Sequence, residues 1–291
     1  MIVSDVDILR IDESLAKEGV PFHARPLRAA MQLLGAEFAI GFGDERVAAI
    51  TAAYERLIPE VKSTWPGMGT GLFASVDRVR KFTVGVVMGA PHISIYEGLG
   101  FTSPSEWATW CRGIRDIQAR SAFAFADTFD LVYGIDSTGC KNARDFWSLA
   151  AGQIKLVAEG LSQSGSVGSA ILQPICLSVE LATKGSLLYL GVPEGELMKK
   201  FRHDLTALAR EMAARKPHRD DPLLLAAVEK FPDYVGGRYA QTGLTRLQVV
   251  SLALDAQFIA ATSVRRLSDY DMAAQVEAAV GPRSSFYPGQ V

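Results

Sequence analysis

"SVELATKGSLLYLGVPEGELMKKFRHDLTALAREM", residues 178–212, is the stretch that decides the fold. Its first half extends the apolar residues Ile171, Leu172, Ile175 and Val179 into Leu181, Leu187 and Leu188. A helix that is apolar on nearly every face belongs in the middle of a bundle. Gln173, Glu180 and Lys184 follow one another by seven and four residues and so form a single polar stripe on that rod. Glu180 and Lys184 stand at the spacing of a helical ion pair. Charges on such a helix are costly to bury unless they meet partners or reach a cleft. After the break "LGVPEG", a second helix opens at His203 and Asp204. Either residue can cap a helix that begins at Leu205, the aspartate with the added benefit of its charge at the positive helix end.

Working outward, helical periodicity spans about 142–163, 167–190, 204–215, 221–230 and 243–267, and the spacers "SGSVG", "LGVPEG", "KPHRDD" and "DYVGGRYAQTG" are short, polar or glycine-rich. Short connections place successive helices antiparallel beside each other, so residues 141–267 are expected to be a helical bundle. A short acidic helix and the aperiodic tail "GPRSSFYPGQV" follow in 268–291, the tail reading as a flexible arm. The glycine- and serine-containing "GIDSTGCKN", residues 134–142, is the expected domain boundary. Before it lies a mainly helical region, 1–140, in which periodicity begins near residue 24: Leu27, Met31 and Leu34 in one helix, Val47, Ile50, Tyr54 and Ile58 in the next. A long stretch from Thr102 to Gly134 makes one helix or two, with Trp107, Trp110, Phe123, Phe125, Phe129 and Tyr133 marking heavy burial. Residues 72–102 stay open between strand and helix, because "KFTVGVVMG" and "HISIYEG" are β-branched yet short. The fold class is therefore mostly α.

Composition bounds the function. The chain has 291 residues, 48% of them hydrophobic, and a net charge of -2, enough apolar material for a sizeable core and too little positive charge for wholesale nucleic-acid coating. The charge is uneven, with 16 Lys+Arg against 12 Asp+Glu between Lys141 and Leu267. Lys199, Lys200, Arg202, Arg210, Arg215, Lys216 and Arg219 concentrate it, either as a solvated face or as a patch for phosphates. Cys111, Cys140 and Cys176 are widely spaced, without the pairing of a metal site or disulfide framework, and point to a reducing compartment. The acidic start "MIVSDVDILRIDESL" does not read as a signal peptide, and no apolar run reaches the roughly 18 residues of a membrane span. A cytoplasmic protein is expected, without a membrane, metal or cofactor.

Glu180, Lys184, His203, Asp204, Leu205 and, in the loop before the last long helix, Arg238 and Tyr239 carry a family resemblance. Over about residues 142–267 the chain resembles the HEPN domain family, which shares an acidic residue and a lysine on the second helix, a His-Asp-Leu start to the next, and an Arg-Tyr pair before the last. The resemblance implies a compact helical bundle that often dimerises and serves as a nucleotide-binding or RNA-processing module. Such modules frequently work in toxin-antitoxin or defence systems beside a nucleotidyltransferase or antitoxin partner. Nuclease members carry an arginine, four to six residues and a histidine. Here the corresponding positions are Glu211, Met212 and Ala213 before His218, and Glu196, Leu197 and Met198 before His203, so the nuclease motif is absent and no catalytic residue is assigned.

The expected function is thus a non-nuclease, HEPN-like module that dimerises and binds a nucleotide, RNA or protein partner, with Glu180, Lys184, His203, Asp204, Arg238 and Tyr239 as candidate ligand-binding residues. Two alternatives remain: a diverged ribonuclease or nucleotide-processing enzyme, and a small-molecule-binding protein using the aromatic N-terminal half. "SDVDILR" mimics the Asp-x-Asp metal strand of nucleotidyltransferases but lacks the glycine-serine turn that should precede it. "MGTGLFAS" and "GAPHISIYEGLG" lack the context of a phosphate-binding loop.

Overall fold

The computed structural model describes residues 4–38, 44–61, 67–86, 93–163, 169–235 and 243–287. The chain divides into two compact units, Met1–Pro66 and Gly67–Val291. The division falls well before the boundary expected at 134–142, which turns out to be a three-residue link, 138–140, between two long helices of the same unit. Its polar residues serve that link: the Thr138 hydroxyl accepts from the Cys140 amide at 3.3 Å, and Arg144 donates to the Thr138 carbonyl.

Among the described residues, the first unit holds three α-helices, α1 (Asp5–Lys17), α2 (Arg25–Leu34) and α3 (Glu45–Leu57). Helix therefore begins at residue 5, not near 24. Ser4 caps α1 by accepting from the Asp7 amide, and Asp5 and Asp7 lie in the first turn, where negative charge is favourable. The Asp-x-Asp pair is thus a helix start and not a strand. Ile8, Leu15, Ala29, Tyr54 and Val61 form the main cluster of this unit. The Tyr54 hydroxyl donates to Asp12, which also pairs with Arg25 at 3.2 Å.

The second unit begins with the hairpin β1 (Gly69–Ser75) and β2 (Arg78–Val84), antiparallel with Gly69 opposite Val84 and Ser75 opposite Arg78. Helices α4 (Ile95–Gly98), α5 (Pro104–Trp110), α6 (Arg115–Ser137), α7 (Lys141–Ser162), α8 (Leu172–Tyr189), α9 (Glu194–Glu196), α10 (Leu205–Arg215), α11 (Asp221–Val228), α12 (Arg246–Arg265) and α13 (Met272–Val280) follow. "HISIYEG" therefore contributes a helical turn among its described residues, whereas "KFTV", the start of "KFTVGVVMG", forms the end of β2. The mostly α class stands, and the five helices expected between 142 and 267 are α7, α8, α10, α11 and α12.

Helices α8 and α12 form the centre. Helix α8 packs on α7, α10 and α12, and α12 on α6, α7 and α8. Close approach of α7 and α8 depends on Gly185, where a Cβ would lie 2.6 Å from the Trp147 ring. The buried Trp147 indole donates to the Ala182 carbonyl at 3.1 Å, fixing the same contact. Phe123, Phe125, Phe129 and Tyr133 lie in a core cluster with Phe73, Phe82 and Phe101, so these aromatics are packing residues.

The hairpin is held by a side chain. Gln257 accepts from the Leu72 amide at 2.9 Å and donates to the carbonyls of Leu72 at 3.1 Å and Ala124 at 3.0 Å, acting as a strand neighbour for β1 in a buried setting. Gln257→Leu keeps the volume and leaves the Leu72 amide and carbonyl without their partner, while the Ala124 carbonyl keeps the Thr128 hydroxyl. It is expected to lower stability by about 2–4 kcal/mol, measured by urea unfolding, since each buried unsatisfied group costs about 1–3 kcal/mol.

The expected flexible arm is also overturned as far as residue 287. Arg283 and Phe286 are buried, and Arg283 donates two hydrogen bonds to Asp127 at 2.6 and 2.8 Å. Arg120 donates to the Phe286 carbonyl at 2.6 Å. The periodicity test missed this segment because charge pairing, not an apolar stripe, anchors it.

Candidate functional site

Glu180 and Lys184 sit on α8 one turn apart and bond at 2.6 Å, each about 4% exposed. This is the ion pair that the spacing predicts. The price of burying it is met by two further donors from distant segments: His203 Nδ1 lies 3.0 and 3.2 Å from the two Glu180 oxygens, and the Tyr234 hydroxyl donates to Glu180 Oε2. Burial opposes ionisation of Glu180, but hydrogen bonds from Lys184, Tyr234 and His203 outweigh it and hold the carboxyl below the usual range. Burial and the Glu180 charge push the Tyr234 phenol up, and the same two causes push the nearby Cys176 thiol up to about 12. Glu180 is therefore a carboxylate, and Tyr234 and Cys176 keep their protons.

With Nδ1 turned to a carboxylate, the His203 imidazole presents Nε2 on the opposite edge. The side chain is 55% exposed, in contrast to the 5% of its Glu180 partner. It lines a cleft of about 650 Å³ bounded by residues 200–206 on one side and by Val228, Phe231, Pro232, Asp233 and Tyr234 on the other. A buried carboxylate that fixes the tautomer and orientation of an exposed histidine is the means by which proteins set up a ligand-binding or proton-transferring imidazole.

Local sequence explains the near wall. Leu197–Phe201 is a π-helical turn, an uncommon element found disproportionately at functional positions. It ends at Arg202, whose φ of 51° and ψ of -104° lie in a region costly for any residue with a Cβ. Asp204 then caps α10, accepting from the Ala207 amide at 2.9 Å. Lys200 is drawn to Glu196 at 3.6 Å and Glu211 at 3.7 Å, while Arg202 makes no side-chain ion pair among the described residues. Much of the basic run is paired in the same manner: Arg215 with Glu211 at 2.7 Å, Arg210 with Glu229 at 3.4 Å, and Arg219 with Asp271 and Glu277.

The candidate residues thus divide. Glu180, Lys184 and His203 come together as expected, but Glu180 and Lys184 do not line the cleft, because the ion pair between them is buried under His203 and Tyr234. Asp204 lines the cleft and spends one carboxylate oxygen on its helix. Arg238 and Tyr239 lie outside the described residues, as does His92. Sequence reasoning missed Arg202, Phe231 and Tyr234 as parts of the site. Only "FPDYVGG", a turn with two aromatics before glycines, hinted at the last two.

A second polar cluster was invisible in the sequence. Arg265, fully buried, donates to Asp127 and Asp220 at 2.6 Å and to Asp130 at 2.7 Å. Asp130 also accepts from the amides of Met272 at 2.6 Å and Ala273 at 3.2 Å, at the start of α13. Burial pushes Asp220 up, but Arg265, Arg283 and His218 overcome it and bring the carboxyl down to about 2. Burial keeps His218 below its ordinary value despite Asp220, with Arg266, Arg219 and Arg265 acting in the same direction as burial. This cluster locks α6, α12, α13 and the C-terminal segment together.

No family model, curated protein or solved structure matches the chain. Function must therefore be read from the cleft itself. Among the described residues, no group of three or more His, Cys, Asp or Glu is placed to hold a metal ion. Among the described residues, one helix, Arg246–Arg265, is long and apolar enough to cross a membrane, and 78% of its most apolar window is buried inside the bundle as α12.

Proposed function

We propose that the chain is a HEPN-like, non-nuclease binding module whose cleft takes a phosphate-bearing ligand, a nucleotide or RNA. The observation that carries this reading is the Glu180 carboxylate holding His203 at 3.0 Å so that Nε2 faces a cleft with Arg202 at its edge and Phe231 and Tyr234 on the far wall. Arginine donates to phosphate oxygens, and aromatic walls accept a base. The sequence resemblance adds a second copy of the chain, and a nucleotidyltransferase or antitoxin, as partners within the same proposal.

The test is binding of a labelled oligoadenylate and of adenosine 5′-monophosphate to the full chain at low salt. Affinity should fall as salt rises, and His203→Ala should weaken it at least tenfold. Absence of binding by both probes at low salt overturns the reading. The same Glu180–His203 arrangement favours one second reading, a diverged RNA- or nucleotide-processing enzyme in which Nε2 moves a proton. RNA cleavage that disappears in His203→Ala would establish that reading in place of the first.

A further inference from the structure

Resting on the reading of the cleft as a phosphate site, we propose that Arg202 and His203 form the seat of a terminal phosphate monoester, and that the wall of Phe231, Asp233 and Tyr234 takes the nucleoside attached to it. The ligand class is a nucleoside 5′-monophosphate, free or at the end of an RNA.

Arg202 gives the first reason. An arginine at φ 51° and ψ -104° is strained where a glycine would be at ease. Its guanidinium has no ion pair among the described residues, so no salt bridge within the protein explains why arginine stands there. Strain of this kind is retained where the side chain has work to do. His203 gives the second. Fixed through Nδ1 by Glu180, it places a donor or acceptor beside Arg202 without needing to be ordered by the ligand.

The third reason is the polarity of the cleft. Its cationic groups belong to residues 200–203, where the neighbouring Asp204 carboxylate is held by the Ala207 amide at the start of its helix, whereas the facing wall carries the rings of Phe231 and Tyr234. A strand of internal phosphodiesters crossing the cleft would bring phosphates up to the rings of Phe231 and Tyr234, which offer them no cation. A ligand with its charge gathered at one end avoids that mismatch, leaving the aromatic rings for the base. At neutral pH a monoester carries about 1.5 to 2 negative charges, against one for an internal phosphodiester, so a corner built on the Arg202 guanidinium selects the end. The cleft, about 650 Å³, is within the size range of small-ligand sites.

The experiment compares calorimetric titrations of the full chain with adenosine 5′-monophosphate and adenosine, and with 5′-phosphorylated and 5′-hydroxyl oligoadenylate. The phosphorylated member of each pair should bind at least tenfold more tightly. Arg202→Gly should abolish that difference while raising the melting temperature, because it relieves the backbone; a merely structural arginine would lower it. Arg202→Gln should abolish the difference without relieving the strain. Equal affinity within each pair, or a difference that survives both variants, overturns the proposal. Oligoadenylate binding that depends on His203 but not on the 5′ group overturns this inference and leaves the phosphate-cleft reading standing, whereas no binding of any probe overturns both.

Discussion

Arg265→Met is expected to lower folding stability by about 3–5 kcal/mol, the cost of leaving buried charge without its partner. The side chain has no exposed surface and bonds three carboxylates, those of Asp127, Asp130 and Asp220. Arg283 still reaches Asp127, and two backbone amides still reach Asp130. Asp220 loses most, since Arg265 is the strongest of the charges that bring it to about 2. Urea unfolding of the variant measures the loss. Arg265→Lys should recover only part of it, because an ammonium cannot present a planar fork to three acceptors.

The same cluster sets an acid limit. A carboxyl at about 2 in the folded protein and about 3.9 unfolded contributes stability that is fully present above pH 4. That contribution is lost as pH falls through 4 toward 2, and amounts to roughly 2 kcal/mol. Glu180 and Asp271, both lowered, add to the loss in the same direction. Asp130, raised by burial against Arg265, opposes it. The urea midpoint should therefore drop between about pH 4 and pH 2, and Asp220→Asn should flatten that drop.

Lys184→Met should also cost about 3–5 kcal/mol, since Glu180 would remain buried with hydrogen-bond donors but no permanent cation. The double variant Glu180→Met, Lys184→Met should recover much of that stability, because an apolar pair of similar volume leaves no charge to solvate. Its cleft should nonetheless fail, as His203 and Tyr234 lose the acceptor that orients them. Restored folding with lost ligand binding would separate the positioning role of the pair from its part in the fold.

How far the sequence reaches depends on the range of the interactions. Glu180 and Lys184 were legible because a helix brings residues four apart together, and Asp204 because a cap acts within three residues. The helices α7 to α12 were legible from their periodicity and short connections. The hairpin was not, because β1 is buried on both faces over Gly71–Ser75 and shows no alternation. Helix α1 was missed because its start was read for leader and metal signals and its two buried apolar residues, Ile8 and Leu15, make a thin stripe. The Arg265 cluster joins residues separated by 45 to 138 positions, which no spacing rule relates. Tyr234 meets Glu180 across 54 positions for the same reason. Arg202 was counted only as one charge in a basic run, since its backbone conformation is set by the π-helical turn before it.

The central claim, that Glu180 fixes His203 with Nε2 turned to the cleft, is tested most directly by the imidazole ¹⁵N shifts of His203 in the full chain at a pH where the ring is neutral. The account predicts a protonated Nδ1, donating to Glu180, and a bare Nε2. A neutral ring carrying its proton on Nε2, with shifts unchanged in Glu180→Gln, would contradict it.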